Sequence, residues 1–500
     1  MCGIWGFLGQ NEGYELKGYV NALSPRGPEY IAIQDVAPPY MTLGFTRLAI
    51  NGLSPAGHQP LERNGIYVVC NGEIYNYKTL AERWNIPYTS DDSDCVVLAP
   101  LYSQLKMTLL CRALDGVFAL ILVDTKRNVV YVARDPYGVR PLFEGRLGAG
   151  YMWSSELKGL HTACTEVRPF PPGTWQCHDL STGRLLKSHK YHDIPSVSIS
   201  ALDEDASKHL LRGALIRAVR KRLLSDRPIG ALLSGGVDSS LIAAIVSREI
   251  SPRKLQTFSI GFEGSPDLKY ARMVADKIGS IHYEIVVTPE DFQRAVPEVV
   301  KAIESYDITT VRASVGNWMV GKYIKENTDC KVIFNGDGSD EIGGGYKYMR
   351  FAPSDEEFEA ETERLLSEIH LFDVLRSDRS MAAHGLEART PFLDKQVVAL
   401  WKSTPVEFRR TTAKRMEKLL LRDAFLYDNY LPTEVLYRKK EAFSDGVSSA
   451  ESKPWYARPD EAKYYKDLFS ENYRPWESVI PHMWMPRWIS ATDPSARQIQ

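Results

Sequence analysis

The chain has 500 residues, which sets a prior of about two to four domains, because a single core stops growing near roughly 250 to 300 residues. Its 61 Lys plus Arg face 63 Asp plus Glu, a formal net charge of -2, so no global basic field draws nucleic acid or an acidic membrane surface. Hydrophobic residues at 44% and charged residues at 25% match ordinary globular usage, and the longest apolar run, Val117 to Val123, is far short of the roughly 18 residues of a membrane helix.

The first third reads as short strands separated by turns. Met41 to Ile50 and Ile66 to Cys70 are predicted strands, and Val117 to Asp124, Thr125 to Asn128 and Val129 to Arg134 form a strand, turn and strand rich in Val, Ile and Leu. After Pro171-Pro172-Gly173, a hairpin-like stretch runs through Asp179 to Tyr191. Residues 192–206 are polar with scattered Pro and Ser and read as a linker between a 2–191 domain and a 207–500 domain. From Ser207 the period changes, with Leu210, Leu211, Ala214, Leu215, Ala218, Val219 and Leu223 at helical spacing. Strands at Ile229–Leu233, Leu255–Phe262 and His282–Val287 then alternate with helices at Ser239–Arg248 and Leu268–Ile278. Such alternation predicts an α/β doubly wound parallel sheet. Lys331–Phe334 adds another strand, and beyond Leu365 the pattern is mostly helical.

Seven cysteines, at 2, 70, 95, 111, 164, 177 and 330, form no CxxC pair and no zinc spacing. The opening Met1 to Phe7 lacks a charged n-region and a cleavage site, so a cytoplasmic setting with mostly buried thiols is expected. Removal of Met1 would place the Cys2 thiol and an α-amine on one carbon, where the amine can serve as a local base. Asn71-Gly72 after a strand also fits a hairpin turn, Asp94 a helix N-cap and Arg47 an ordinary surface partner. Further on, Leu232-Leu233-Ser234-Gly235-Gly236-Val237-Asp238-Ser239-Ser240 is a Gly-rich turn between strand and helix, suited to a phosphate chain at a helix N-terminus. A second acidic Gly-rich loop, Phe334-Asn335-Gly336-Asp337-Gly338-Ser339-Asp340-Glu341, follows another strand; Asp238 and Asp340 are natural Mg²⁺ ligands, and Lys440 can balance phosphate charge.

Cys2, Ser24 to Glu29, Thr46 to Asn51, Asn71 to Asn76, Ser93 to Cys95 and Leu114 to Phe118 together resemble the class II glutamine amidotransferases. The 232–240 loop resembles that of ATP pyrophosphatases. With Tyr306 to Ser314, Ala383 to Asp394, Lys440 to Val447 and the tail Trp484 to Trp488 and Ala491 to Arg497, the whole chain is similar to the glutamine-hydrolysing asparagine synthetases. That resemblance implies an α+β N-terminal Ntn-type sandwich (αββα) and a pyrophosphatase domain with a helical C-terminal part. It implies Cys2 as nucleophile, with Asn71 and Gly72 receiving the oxyanion, and glutamine held by Arg47, Leu48, Ala49, Ile50, Asn51, Glu73 and Asp94. ATP falls to Leu232, Ser234, Gly235, Gly236, Asp238, Ser239, Ile260, Asn335, Gly336 and Lys440, and the aspartate carboxylates to Arg312 and Arg389. It further implies an ammonia passage to a β-aspartyl-AMP intermediate, a homodimer, and no nucleic-acid or membrane partner. Pro25, Glu29, Asn335 and Asp337 depart from the family pattern; the family's glutamate at position 337 handles the proton lost by ammonia, so Asp337 is assigned as catalytic. Related ligases acting on another carboxylate, or an impaired glutamine or nucleotide sensor, are the alternatives.

Overall fold

In the computed structural model, which describes residues 1–10, 15–194, 203–441, 446–448, 454–480, 482 and 485–491, the first third of the chain forms two stacked antiparallel sheets whose central strands are buried on both faces. The strands in chain order are β1 (Gly3–Leu8), β2 (Tyr30–Ala37), β3 (Met41–Arg47), β4 (Leu61–Arg63), β5 (Ile66–Ile74), β6 (Gly116–Asp124), β7 (Val129–Arg134), β8 (Phe143–Leu147), β9 (Gly150–Ser154), β10 (Glu166–Pro169), β11 (Thr174–Asp179) and β12 (Leu185–Lys190). One six-stranded sheet runs β10-β8-β9-β1-β3-β2 and the other β12-β11-β7-β6-β5-β4.

Alternate side chains explain the stacking. Ile4 and Leu8 of β1, Leu43 and Phe45 of β3, and Ile121 and Val123 of β6 meet between the sheets. Their neighbours point outward: Trp5 and Phe7 pack on Val20 of the helix Lys17–Asn21, and Leu120 and Leu122 on Leu80, Leu101 and Leu110 of three further helices. The result is a four-layer αββα sandwich, each fully buried Leu, Ile or Phe contributing about 1.5–3 kcal/mol.

The second sheet system is parallel throughout: β13 (Ile229–Leu232), β14 (Gln256–Gly261), β15 (Ile281–Val286), β16 (Val332–Phe334) and β17 (Glu387–Arg389) lie in the order β15-β14-β13-β16-β17. Val332 and Phe334 face one apolar cluster and Ile333 the other, so helices cover both faces. The order reverses between β13 and β16, and ligands in such sheets bind beyond the strand ends at that point. The loops there begin at Leu233 and Asn335.

Three differences from the sequence reading matter. β3 stops at Arg47, which frees the following residues to form a loop, whereas β5 runs on to Ile74. Asn71 and Gly72 are therefore strand residues opposite Ala119 and Phe118 of β6, not a turn. β17 adds a fifth strand in a stretch expected to be helical, because Val332 to Phe334 offers it an unpaired parallel edge. Linker residues 195–202, residues 442–445 of the basic string, and Trp484 and 492–497 of the tail lie outside the described residues.

Candidate active sites

Cys2 enters the first sheet immediately before β1, whose Gly3 lies opposite Thr46. Its Sγ is 3.6 Å from the Leu48 carbonyl, in the loop just after β3. Burial pushes the thiol up to about 11, against the opposing pull of the adjacent N-terminal ammonium. That ammonium, on Met1, donates to the Leu386 carbonyl at 3.3 Å, and burial brings it down to about 6. Met1 itself is buried among residues of both halves, Leu375 and Ala388 included.

Asn71 is fully buried beside the nucleophile. Its amide nitrogen donates to the Cys2 carbonyl at 3.0 Å and its oxygen accepts from Arg26 Nη2 at 3.3 Å. A Cβ on Gly72 would lie 2.3 Å from the Val117 carbonyl, so only glycine fits this close pairing with β6. Arg47 is held by the carbonyls of Ser54, at 2.7 Å, and Gly52, and no ion pair to a carboxylate is formed by it among the described residues. A buried guanidinium without a counter-ion suits a substrate carboxylate. Asp94 opens the 3₁₀ turn Asp94–Val97, accepts from the Ile74 N–H at 2.6 Å and is pushed by burial to about 6. Asn51 donates to Glu73 at 2.6 Å, which anchors the post-β3 loop to β5. Leu48, Ala49 and Ile50 complete that loop, with the Ala49 N–H donating to Glu29 at 2.7 Å.

The second centre is the cleft at the β13 and β16 ends. Leu232, Ser234, Gly236, Asp238, Ser239, Ile260, Asn335, Gly336, Asp337, Asp340 and Lys440 all line it. Gly235 shapes the turn from behind: its φ is +73° and a Cβ there would strike Tyr270 at 2.5 Å. The helix Val237–Ile250 starts at this turn with Gly236 as its N-cap, which aims free N–H groups into the cleft.

Two carboxylates converge on one ammonium. Lys418 Nζ donates to Asp238 Oδ2 at 2.5 Å and to Asp340 Oδ1 at 2.6 Å, and Lys440 pairs with the other Asp340 oxygen. Burial raises Asp340, but the two ammonium groups outweigh it and hold the carboxyl well below its ordinary range. Hard oxygens meeting at one point beside a phosphate-type loop fit Mg²⁺, which takes one or two carboxylates and completes its shell with phosphate oxygens and water. Asp337 is different: burial and then the Asp373 carboxylate push it to about 7, with Arg376 opposing. Its Oδ2 accepts from the Asn335 amide at 2.6 Å.

Arg312 and Arg389 are not brought into this cleft. Arg389 is bound to Glu387 at 2.9 Å, to Glu73 at 3.5 Å and to the Leu224 carbonyl at 2.6 Å, and Arg312 donates to Glu461 at 2.9 Å and stacks over Tyr456. Among the described residues, three guanidinium groups do line the cleft, those of Arg376, Arg422 and Arg438, and of these Arg376 is paired with Asp373 and lies 3.6 Å from Asp337. Lys418 and Arg376 escaped the sequence reading; the signal available for the second was an acidic and basic spacing, Asp373, Arg376, Asp378 and Arg379, on a helix that is buried nearly throughout.

A family model described as asparagine synthase matches residues 210–365 and 350–475, and one described as a glutamine amidotransferase domain matches residues 1–170. Asparagine synthetase [glutamine-hydrolyzing] of Gallus gallus is 41% identical, covering 100% of this chain and 99% of the relative. The Homo sapiens enzyme of the same name is 40% identical, with 100% and 98% covered, and a probable asparagine synthetase of Acanthamoeba polyphaga mimivirus is 41% identical, with 99% of each covered. With both family models and full-length relatives agreeing, the chain belongs to the glutamine-hydrolysing asparagine synthetase family.

Proposed function

We propose that the chain makes L-asparagine from L-aspartate, L-glutamine and ATP through β-aspartyl-AMP, releasing L-glutamate, AMP and diphosphate. The observation that carries this reading is the coexistence of a half-buried Cys2 beside a buried Asn71 and a Gly-rich acidic cleft in one chain. Residues 2–191 are assigned the glutaminase chemistry and 207–500 the adenylation, with 192–206 between them.

In the first half, Arg47 and Asp94 would take the two charged ends of glutamine, which leaves its side-chain amide to the Cys2 thiolate. Asn71 and Gly72 then receive the oxyanion, a service worth about 10² to 10³ in rate per donor. Excision of Met1 is required so that the amine on Cys2 becomes the proton acceptor.

In the second half, the N–H groups around Ser234 to Ser239 would hold the phosphates, and Leu232 and Ile260 would flank the base. Asp238 and Asp340 would hold Mg²⁺, which supplies charge neutralisation to the departing diphosphate. Arg376 would take an aspartate carboxylate, and Asp337 would accept the proton lost as ammonia attacks. Ammonia would travel along β17, which bridges the two centres: Met1 meets Leu386, Arg140 donates to the Ala388 carbonyl at 3.4 Å, and the Asn335 N–H donates to the Arg389 carbonyl at 3.1 Å. The homodimer and the cytoplasmic setting belong to the same proposal, and sedimentation tests the first.

The deciding assay incubates purified protein with ATP, Mg²⁺, glutamine and aspartate and follows diphosphate and asparagine together. Equal yields are expected. Diphosphate without asparagine would mean an adenylate lost to water rather than captured by ammonia, and neither product would leave another acceptor carboxylate or a sensor.

A further inference from the structure

We propose that Asp378, contributed by the synthetase half, is a positioning residue for the glutaminase centre and acts through Arg26. The inference rests on the assignment of Cys2 and Asn71 made above.

Arg26 is fully buried. Its Nε donates to the Cys2 carbonyl at 2.9 Å and its Nη2 to the Asn71 oxygen at 3.3 Å. The remaining directions of the guanidinium are taken by carboxylates: Nη1 donates to Asp378 Oδ1 at 2.7 Å and to Glu156 at 2.6 Å, and Nη2 to Asp378 Oδ2 at 3.2 Å. A guanidinium is flat and its N–H directions are fixed, so a bidentate carboxylate sets the plane of the whole group. Asp378 is that bidentate partner, whereas Glu156 meets Arg26 through one oxygen. The plane of Arg26 in turn locates the Asn71 amide and the Cys2 carbonyl, and an oxyanion donor misplaced by about 0.5 Å loses much of its effect.

Asp378 lies 352 residues from Arg26 in sequence, on the helix Asp373–Ala382. The preceding turn of that helix works in the nucleotide cleft, where Asp373 accepts from the Gly338 N–H at 2.8 Å and Ser377 accepts from the Asn335 amide at 2.6 Å. One short helix therefore touches both centres. The glutaminase site is completed only when the synthetase half is docked, which ties glutamine hydrolysis to an assembled acceptor site.

The test uses full-length Asp378→Asn, Arg26→Gln and the double variant, with glutamine hydrolysis and ammonia-dependent asparagine synthesis measured on each. For Asp378→Asn the glutaminase kcat should fall by at least about tenfold, within the roughly 10² to 10³ bound of a lost oxyanion donor. KM for glutamine should hold, because Arg47 and Asp94 lie elsewhere, and ammonia-dependent synthesis should persist. The double variant should be no slower than Arg26→Gln, and Asp378→Glu should recover part of the rate. An unchanged glutaminase kcat in Asp378→Asn would overturn the inference alone. Additive losses, or a parallel loss of both activities, would equally reduce Asp378 to support of the fold. Cys2→Ala retaining glutaminase turnover would instead remove the nucleophile assignment beneath it.

Discussion

Asp337 offers the sharpest test of the synthetase chemistry, because its environment and its assigned task make separate demands. A carboxylate acting as general base works best when its pKa lies near the operating pH, and burial with the Asp373 charge places Asp337 at about 7. Ammonia-dependent asparagine formation, corrected for free ammonia, should therefore rise with pH through about 7 and level off above it, falling about tenfold per unit below 6. Asp337→Ala should lower the amidation step by about 10² to 10⁴, or roughly 3 to 5 kcal/mol of barrier, while diphosphate release in the adenylation step continues. Asp337→Glu reaches one methylene further and should keep substantial activity. Single-turnover mixing with saturating ATP and aspartate separates the two steps by quantifying diphosphate and asparagine at each time. Stability supplies a second reading with its own sign. A carboxyl raised from 3.8 to about 7 in the fold binds more protons folded than unfolded between those values, so its contribution is present below about pH 4 and is lost as pH rises through 7. Asp337→Asn should thus gain most in melting temperature, relative to the parent, above pH 7. A folded Asp337→Ala protein with the parental chemical rate and pH profile would refute the base assignment.

Asp238→Asn and Asp340→Asn should abolish diphosphate release with either nitrogen source and leave glutamine hydrolysis measurable; normal release in both would remove the metal assignment. Lys418→Met strands two largely buried carboxylates and should destabilise the ligand-free protein by about 3 to 5 kcal/mol in chemical denaturation, with millimolar Mg²⁺ restoring part of it. Absence of any Mg²⁺-dependent recovery would argue against cation binding at that point. Gly72→Ala places a methyl against the Val117 carbonyl, so glutaminase activity should be lost with a thermal shift and ammonia-dependent synthesis retained; glutaminase activity near the parental value would show that β5 and β6 can part there at little cost.

Much of the architecture was readable from local pattern. The alternation from Ile229 onward, the switch to helical period after Ser207 and the Val-rich hairpin at Val117 to Arg134 follow from side-chain periodicity, which the backbone geometry of helix and strand imposes directly. The two Gly-rich loops were equally legible as strand-to-helix turns, and one cleft gathers Ser234, Asp238, Asn335 and Asp340 from both. Turn chemistry left Asn71-Gly72 open: the same dipeptide that favours a hairpin is also what a close strand pairing with β6 demands, and only the partner strand decides between them. Charge assignments failed for a related reason. Arg389 was assigned from the resemblance alone, yet it pairs with Glu387 and Glu73 away from the cleft, whereas Arg376, Arg422 and Arg438 line it. Lys418 stands 180 residues from Asp238, and Asp378 stands 352 from Arg26. Sequence periodicity determines which face of an element is buried, but the pairing of buried charges is a property of elements brought together, because it depends on distances that no local pattern encodes.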